Sequence, residues 1–176
     1  MTPMATLAPT ADVEPGTVTP GDFRRACGQF ATGVTIVTVR DGDGARGMTA
    51  NSFTSVSLDP PLILVSIDQR NRTHGLLDVG ARFAVSVLAE EHRPWSDRFA
   101  GRHGDVQGEF ADVPHRLTSD GLPIIAGALA SFVCRVVAVH PAGDHSLFIG
   151  QVESLESAPG APPLLFFGGG YRELSA

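Results

Sequence analysis

The chain contains no lysine: all 13 basic residues are arginine, set against 19 acidic residues for a formal net charge of −6. No basic run is longer than the Arg24–Arg25 pair, which argues against nucleic acid as a partner. The missing lysine itself points to no function. Cysteine is nearly absent too. Cys27 and Cys134 stand far apart, neither with a second cysteine at ligand spacing, so no zinc site and no other metal is expected. Both are expected as small buried hydrophobes of a cytoplasmic protein. No apolar run approaches the ~20 residues of a membrane helix, so no membrane partner is expected. The N-terminus lacks the basic stretch and apolar segment of a secretory signal. The chain is read as lacking the G-x-G-x-x-G Rossmann fingerprint. It also shows no Ser–His–Asp or paired-carboxylate constellation, and no internal repeat.

What is present is enough for one folded domain. With 176 residues, 43% of them hydrophobic, the chain can bury a substantial core. Residues 1–18, rich in Thr, Pro and Ala without a sustained period, are expected to form a disordered tail. The domain is expected over 19–176. Thr19 is an N-cap, Pro20 the first helical residue and Asp22 the third. Phe23, Ala26, Cys27, Phe30 and Ala31 then share one helical face.

Strands are expected at Val34–Arg40, Gly47–Thr49, Phe53–Ser57, Leu62–Ile67 and Arg82–Leu88, with the turn Asp41–Gly44 after the first. A short helix is expected to end at Gly80 and a second to begin near Pro94. Gly101–Pro123 reads as a long loop of the kind that often carries function. A β segment Ala128–His140 then turns into Leu147–Ser154, and "PLLFF" makes the last strand before Gly168–Gly170. Short, closely spaced strands with three short helices favour a barrel.

One stretch is chemically unusual. "GMTANSFTSVSLDPPLILVSI", Gly47–Ile67, sets small, neutral, hydrogen-bonding residues (Thr49–Ser57) beside a core-like strand. A solvent loop would carry more charge, and a core strand more Val and Ile. Such a pattern suits the wall of a pocket for a flat, polar ligand, although a Ser/Thr-rich edge strand bonding water would read similarly.

This stretch, with "FATGVTIVTV", "RFAVSVL", "GLPIIAGALASFVCRV", "GDHSLFIGQV" and "PLLFFGGGYREL", resembles the short-chain flavin reductases, the reductase partners of two-component flavin monooxygenases. The six segments run in order from about Phe23 to Leu174. The resemblance implies a mainly β fold, a split β-barrel with Greek-key connections and a few short helices, assembled as a homodimer with flavin near the interface. It implies hydride transfer from NADH or NADPH to FMN or FAD, and delivery of reduced flavin to a monooxygenase. The nicotinamide cofactor would bind in a non-Rossmann mode, folded against the flavin.

By this match, Thr49, Ala50, Asn51 and Ser52 face the flavin ring edge, with Ser55 and Ser57 towards the ribityl chain. Ser66, Arg72 and Thr73 are expected at the phosphate, where a guanidinium supplies bidentate geometry. Thr32, Gly33 and Thr35 are expected to line the same pocket. Tyr171 borders the nicotinamide side. His145 is assigned a positioning role there, bonding the carboxamide. Two departures stand out: no basic residue occupies Phe167–Gly170, and His115 stands where an aromatic is commoner. A non-reducing flavin carrier, or a flavoenzyme with its own organic substrate, remains an alternative on the same barrel.

Overall fold

The structure is a computed structural model that describes residues 16–102, 110–158 and 160–174. The expected tail lies almost wholly outside the described residues. In chain order the elements are α1 (Pro20–Cys27), β1 (Thr32–Gly33), β2 (Thr35–Asp41), β3 (Gly44–Ala50), β4 (Thr54–Leu58), β5 (Pro61–Asp68) and β6 (Arg82–Val87). Then follow α2 (Arg93–Asp97), β7 (His115–Leu117), β8 (Pro123–Ile125), β9 (Ala130–Ala142), β10 (His145–Ser157), β11 (Leu165–Phe167) and β12 (Gly170–Arg172). Among the described residues, no helix is long and apolar enough to cross a membrane.

Seven strands form one antiparallel sheet in the order β3-β2-β6-β9-β10-β5-β4. β6, β9 and β10 lie side by side and β5 adds beyond β10, which is a Greek key. Met48 on β3 and Ile63 on β5 share one core with Val37, Val65, Phe83 and Phe148, although β3 and β5 lie near opposite ends of the sheet. Only a curled sheet brings them together. The ends β3 and β4 do not pair, so the result is a split barrel.

Fully burying a side chain such as Phe83 or Phe148 contributes roughly 1.5–3 kcal/mol. Gly150 makes room for one of them, since a Cβ there would lie 2.5 Å from the Phe83 ring. β2 is buried on both faces. Val37 and Val39 point into the barrel, while Ile36 joins Val34, Phe99, Phe110 and Leu164 in a second core outside it.

The N-terminal helix caps as its sequence implies: the Asp22 N–H donates to the Thr19 hydroxyl at 3.1 Å, and Pro20 begins the helix. Its apolar face does not enter the core. The helix ends at Cys27 with Gly28 as its cap, short of the Phe30 and Ala31 expected on the same face; Phe23 is 62% and Phe30 77% exposed, and Cys27 is exposed. The expectation of two buried cysteines therefore holds for Cys134 alone, because α1 lies outside the barrel.

Other expectations also need correction. The helix expected to end at Gly80 is a single 3-10 turn, His74–Leu76. Leu77 turns extended to enter the barrel core, and the Gly80 N–H is captured by the Val136 carbonyl at 2.8 Å. The loop expected over Gly101–Pro123 contains β7, paired with β8; residues 103–109 lie outside the described residues. Gly168 and Gly169, with φ of 60° and 80°, make a two-residue turn into β12, which was not anticipated. The spacing G-x-G-x-x-G does occur, at Gly42–Gly47, contrary to the reading above. It forms the β2–β3 turn and the first half of β3 and opens no helix, so it lacks the Rossmann context.

Candidate active site

A cavity of about 610 Å³ opens where the barrel is split, within the ~300–1,000 Å³ usual for small-molecule sites. β3 and the turn after it contribute Thr49, Ala50, Asn51 and Ser52. The end of β5 contributes Ser66 and Asp68, and the following turn adds Asn71, Arg72 and Thr73. His145, the first residue of β10, joins the lining. Eight of the expected residues thus meet in one place.

The wall is held by its own hydroxyls. Ser52 Oγ donates to the Ser66 carbonyl at 2.8 Å and accepts the Ser66 N–H at 3.2 Å, stapling the turn after β3 to β5. Thr49 Oγ1 donates to the Ser96 carbonyl on α2 at 2.7 Å. Thr35 is buried, and its Oγ1 donates to the Ala50 carbonyl at 2.8 Å. It braces the wall from within the fold and is not part of the cavity lining.

The end lined by Asn71, Arg72 and Thr73 has a different character. Asn71 Oδ1 accepts the Thr73 N–H at 2.9 Å, an Asx turn that fixes the backbone there. Thr73 is fully buried, yet its Oγ1 has no hydrogen-bond partner. A buried hydroxyl left without a partner costs about 1–3 kcal/mol, which a bound oxyanion beside Arg72 would relieve. The residues present therefore fit a phosphate-bearing flavin.

His145 faces the cavity from a β-turn. Its Nδ1 donates to the Asp144 carboxylate at 2.7 Å, which leaves Nε2 as the nitrogen available to a ligand. That hydrogen bond holds the Asp144 carboxyl below its ordinary range. Across the β10–β5 ladder, Asp68 is held well below the usual carboxylate range by its hydrogen bonds from the Arg70 side chain and backbone.

Tyr171 lines an adjoining cavity of about 160 Å³ with Val34 and Phe166, and Thr49, Asn51 and Ala100 border both spaces. Its hydroxyl lies 2.8 Å from Ser96 Oγ, and the Arg93 guanidinium sits 5.2 Å from the ring centroid. The remaining expected residues lie elsewhere. Thr32 and Gly33 form β1 against β11, while Ser55 is exposed on edge strand β4 and Ser57 is half-buried there. None of these four lines either cavity. At the two departures, His115 packs edge-on against Phe110, the role of an aromatic. Arg172 bends back over the glycine turn, its guanidinium 2.9 Å from where a Cβ on Gly170 would sit.

Sequence reasoning missed Arg46, Asp68, Asn71, Arg98 and Phe99 in the lining, and Ser96 behind it. Two signals were available. The spacing Asn71-x-Thr73 is that of an Asx turn. An isolated glycine inside a strand, Gly47, marks a close approach, and a Cβ there would lie 2.5 Å from the Phe99 ring. Nothing in the sequence linked α2 to β3.

Among the described residues, no group of three or more His, Cys, Asp or Glu is gathered to hold a metal. The arrangement needs none for hydride transfer, in which the cofactors carry the chemistry and the protein aligns them.

Comparison with known proteins points to one family. The flavin reductase like domain matches residues 27–175. An NADH-dependent flavin reductase from a Rhodococcus species is 45% identical over 163 residues, covering 89% of this chain and 88% of the relative. The reductase subunit HsaB of a flavin-dependent monooxygenase from Mycobacterium tuberculosis is 38% identical, covering 88% of this chain and 82% of its own. The solved structure of the NADH:FAD oxidoreductase SgcE6 from Streptomyces globisporus superposes with a TM-score of 0.83 at 38% identity, covering 99% of this chain and 100% of that one. SgcE6 has also been solved with NAD and FAD fragments. On the family match across nearly the whole domain, and on relatives of this identity and coverage, the chain belongs to the flavin reductase family.

Proposed function

We propose that the protein is an NADH-dependent flavin oxidoreductase that reduces FMN or FAD and hands the reduced flavin to a partner monooxygenase. The observation that carries this is the division of one cavity into an uncharged wall, Thr49–Ser52, and an anion-seeking turn with Arg72 and the unpartnered Thr73 hydroxyl. A flavin mononucleotide has this same division, a flat heterocycle at one end and a phosphate at the other.

When bound, the flavin would accept a hydride from the reduced nicotinamide. The chain's residues bind and orient. Thr49, Ala50, Asn51 and Ser52 support the ring edge, Ser66, Arg72 and Thr73 grip the phosphate, and His145 Nε2 orients the carboxamide. Tyr171 borders the nicotinamide. NADH as the donor follows the named relatives, and NADPH is the alternative.

The working form is a dimer in the cytoplasm. Phe23 on α1 and Phe30 just beyond its end, both exposed, suit burial against a second copy.

The test is oxidation of NADH or NADPH with added FMN or FAD, followed at the reduced-nicotinamide absorbance band. Flavin-dependent turnover with at least one of the four pairs is expected. A folded, flavin-binding sample without turnover would leave the carrier reading instead.

A further inference from the structure

The direction of one hydrogen bond constrains what the pocket can recognise. Thr49 lies on the wall common to both cavities. Its hydroxyl is 2.7 Å from the Ser96 backbone carbonyl. A carbonyl oxygen can only accept, so the single Thr49 proton is committed to it, and only lone pairs remain to meet a ligand. Ser96 is rigidly placed: it is fully buried on α2, and its own hydroxyl bonds the Tyr171 hydroxyl at 2.8 Å. The contrast within the site is chemical. Thr73 Oγ1 at the other end has no partner and keeps its proton for an oxyanion.

We propose that Thr49 is a specificity-determining acceptor, locked by the Ser96 carbonyl so that it reads an N–H of an amide or imide on the flat ligand and rejects an acceptor or a methyl group there. This rests on the flavin reductase reading above and deepens it. The shared chemistry has two possible sources, the ring imide N–H of the flavin and the carboxamide NH2 of the reduced nicotinamide. A polar ring edge set against Thr49 and a phosphate against Thr73 also gives the ligand one orientation along the cavity.

The experiment pairs two variants with two analogues. FMN is compared with its N3-methyl derivative, and NADH with its reduced 3-acetylpyridine counterpart, in which a methyl replaces the NH2. Wild type and Thr49→Ser, which keeps a hydroxyl, are expected to prefer the N–H ligand. Thr49→Val, nearly isosteric but without the hydroxyl, is expected to lose about three- to tenfold of that preference, the range of one neutral hydrogen bond. Loss of discrimination for the flavin pair in dissociation constants assigns the imide. Loss for the nicotinamide pair in kcat/KM, with flavin binding unchanged, assigns the carboxamide.

Unchanged discrimination in Thr49→Val for both pairs would overturn the proposal, because backbone groups or shape would then be the reader. If Thr49→Val melts early, the wild type still decides: equal use of both members of both pairs overturns the proposal. A wild type that reduces no flavin with NADH or NADPH defeats the underlying reading, and this inference with it. Normal reduction without discrimination defeats this inference alone.

Discussion

His145 stands across the β10–β5 ladder from Asp68, and its Nδ1 donates to the neighbouring Asp144 carboxylate at 2.7 Å. That bond engages Nδ1 and leaves Nε2 for the proposed carboxamide contact. Replacing it by alanine removes an orienting contact and leaves no buried charge behind. His145→Ala is expected to lower kcat/KM by about five- to thirtyfold, equivalent to about 1–2 kcal/mol, while the flavin dissociation constant moves much less. Stopped-flow reduction and a flavin titration measure the two quantities, and a thermal melt excludes unfolding. Loss of flavin with normal hydride transfer in the bound fraction would place His145 in the flavin shell.

Arg72 and the buried Thr73 hydroxyl line the same end of the cavity. A charge-assisted contact contributes about 1.5–3 kcal/mol, so Arg72→Ala should weaken FMN binding by about tenfold or more. Thr73→Val should weaken it by a smaller factor. Riboflavin, which lacks the phosphate, should bind both variants almost as tightly as wild type. Calorimetry with the two ligands checks this, and equal losses for both would remove Arg72 from the phosphate site.

Cys134 supplies a pH dependence with a definite sign. Burial, reinforced by the charge of Glu153, pushes its thiol from 9.0 up to about 12. The folded state keeps a proton that the unfolded chain has lost, so this contribution is complete below pH 9 and disappears as pH rises towards 12. Without lysine, and with a single tyrosine, few other groups titrate in that range. The melting temperature should therefore fall with a steeper alkaline slope in wild type than in Cys134→Val. Parallel slopes in thermal scans from pH 8 upwards would refute the assignment.

Phe23 and Phe30 are the exposed aromatics of the N-terminal segment. Burying one such ring contributes about 1.5–3 kcal/mol, so a glutamate at either position should raise a dimer dissociation constant by tenfold or more. Sedimentation or light scattering over a concentration series measures this. A wild-type monomer at micromolar concentration, still fully active, would overturn the dimer.

Local rules decided a good deal of this protein from its sequence. Thr19 and Pro20 start a helix because cap and φ preference act within one turn. The β2–β3 turn follows from glycine and aspartate placed where a hairpin needs them, with Gly42 at φ 58°. The neutral run Thr49–Ser57 marked the cavity wall in its first part alone: Thr49–Ser52 line the cavity, whereas Ser55 and Ser57 lie on edge strand β4, the other use that small hydroxyl residues have. Tertiary structure alone decided the rest, since the deciding contacts join residues far apart in the chain. Leu77 left its expected helix because the barrel core could bury it. The apolar stripe of α1 could not reveal whether its partner lies in the same chain, and the fold sets it outside the barrel. Thr49 and Ser96 are 47 positions apart, and no periodicity records which hydroxyl proton a distant carbonyl will take. That bond exists because the closing of the barrel and the packing of α2 bring the two together.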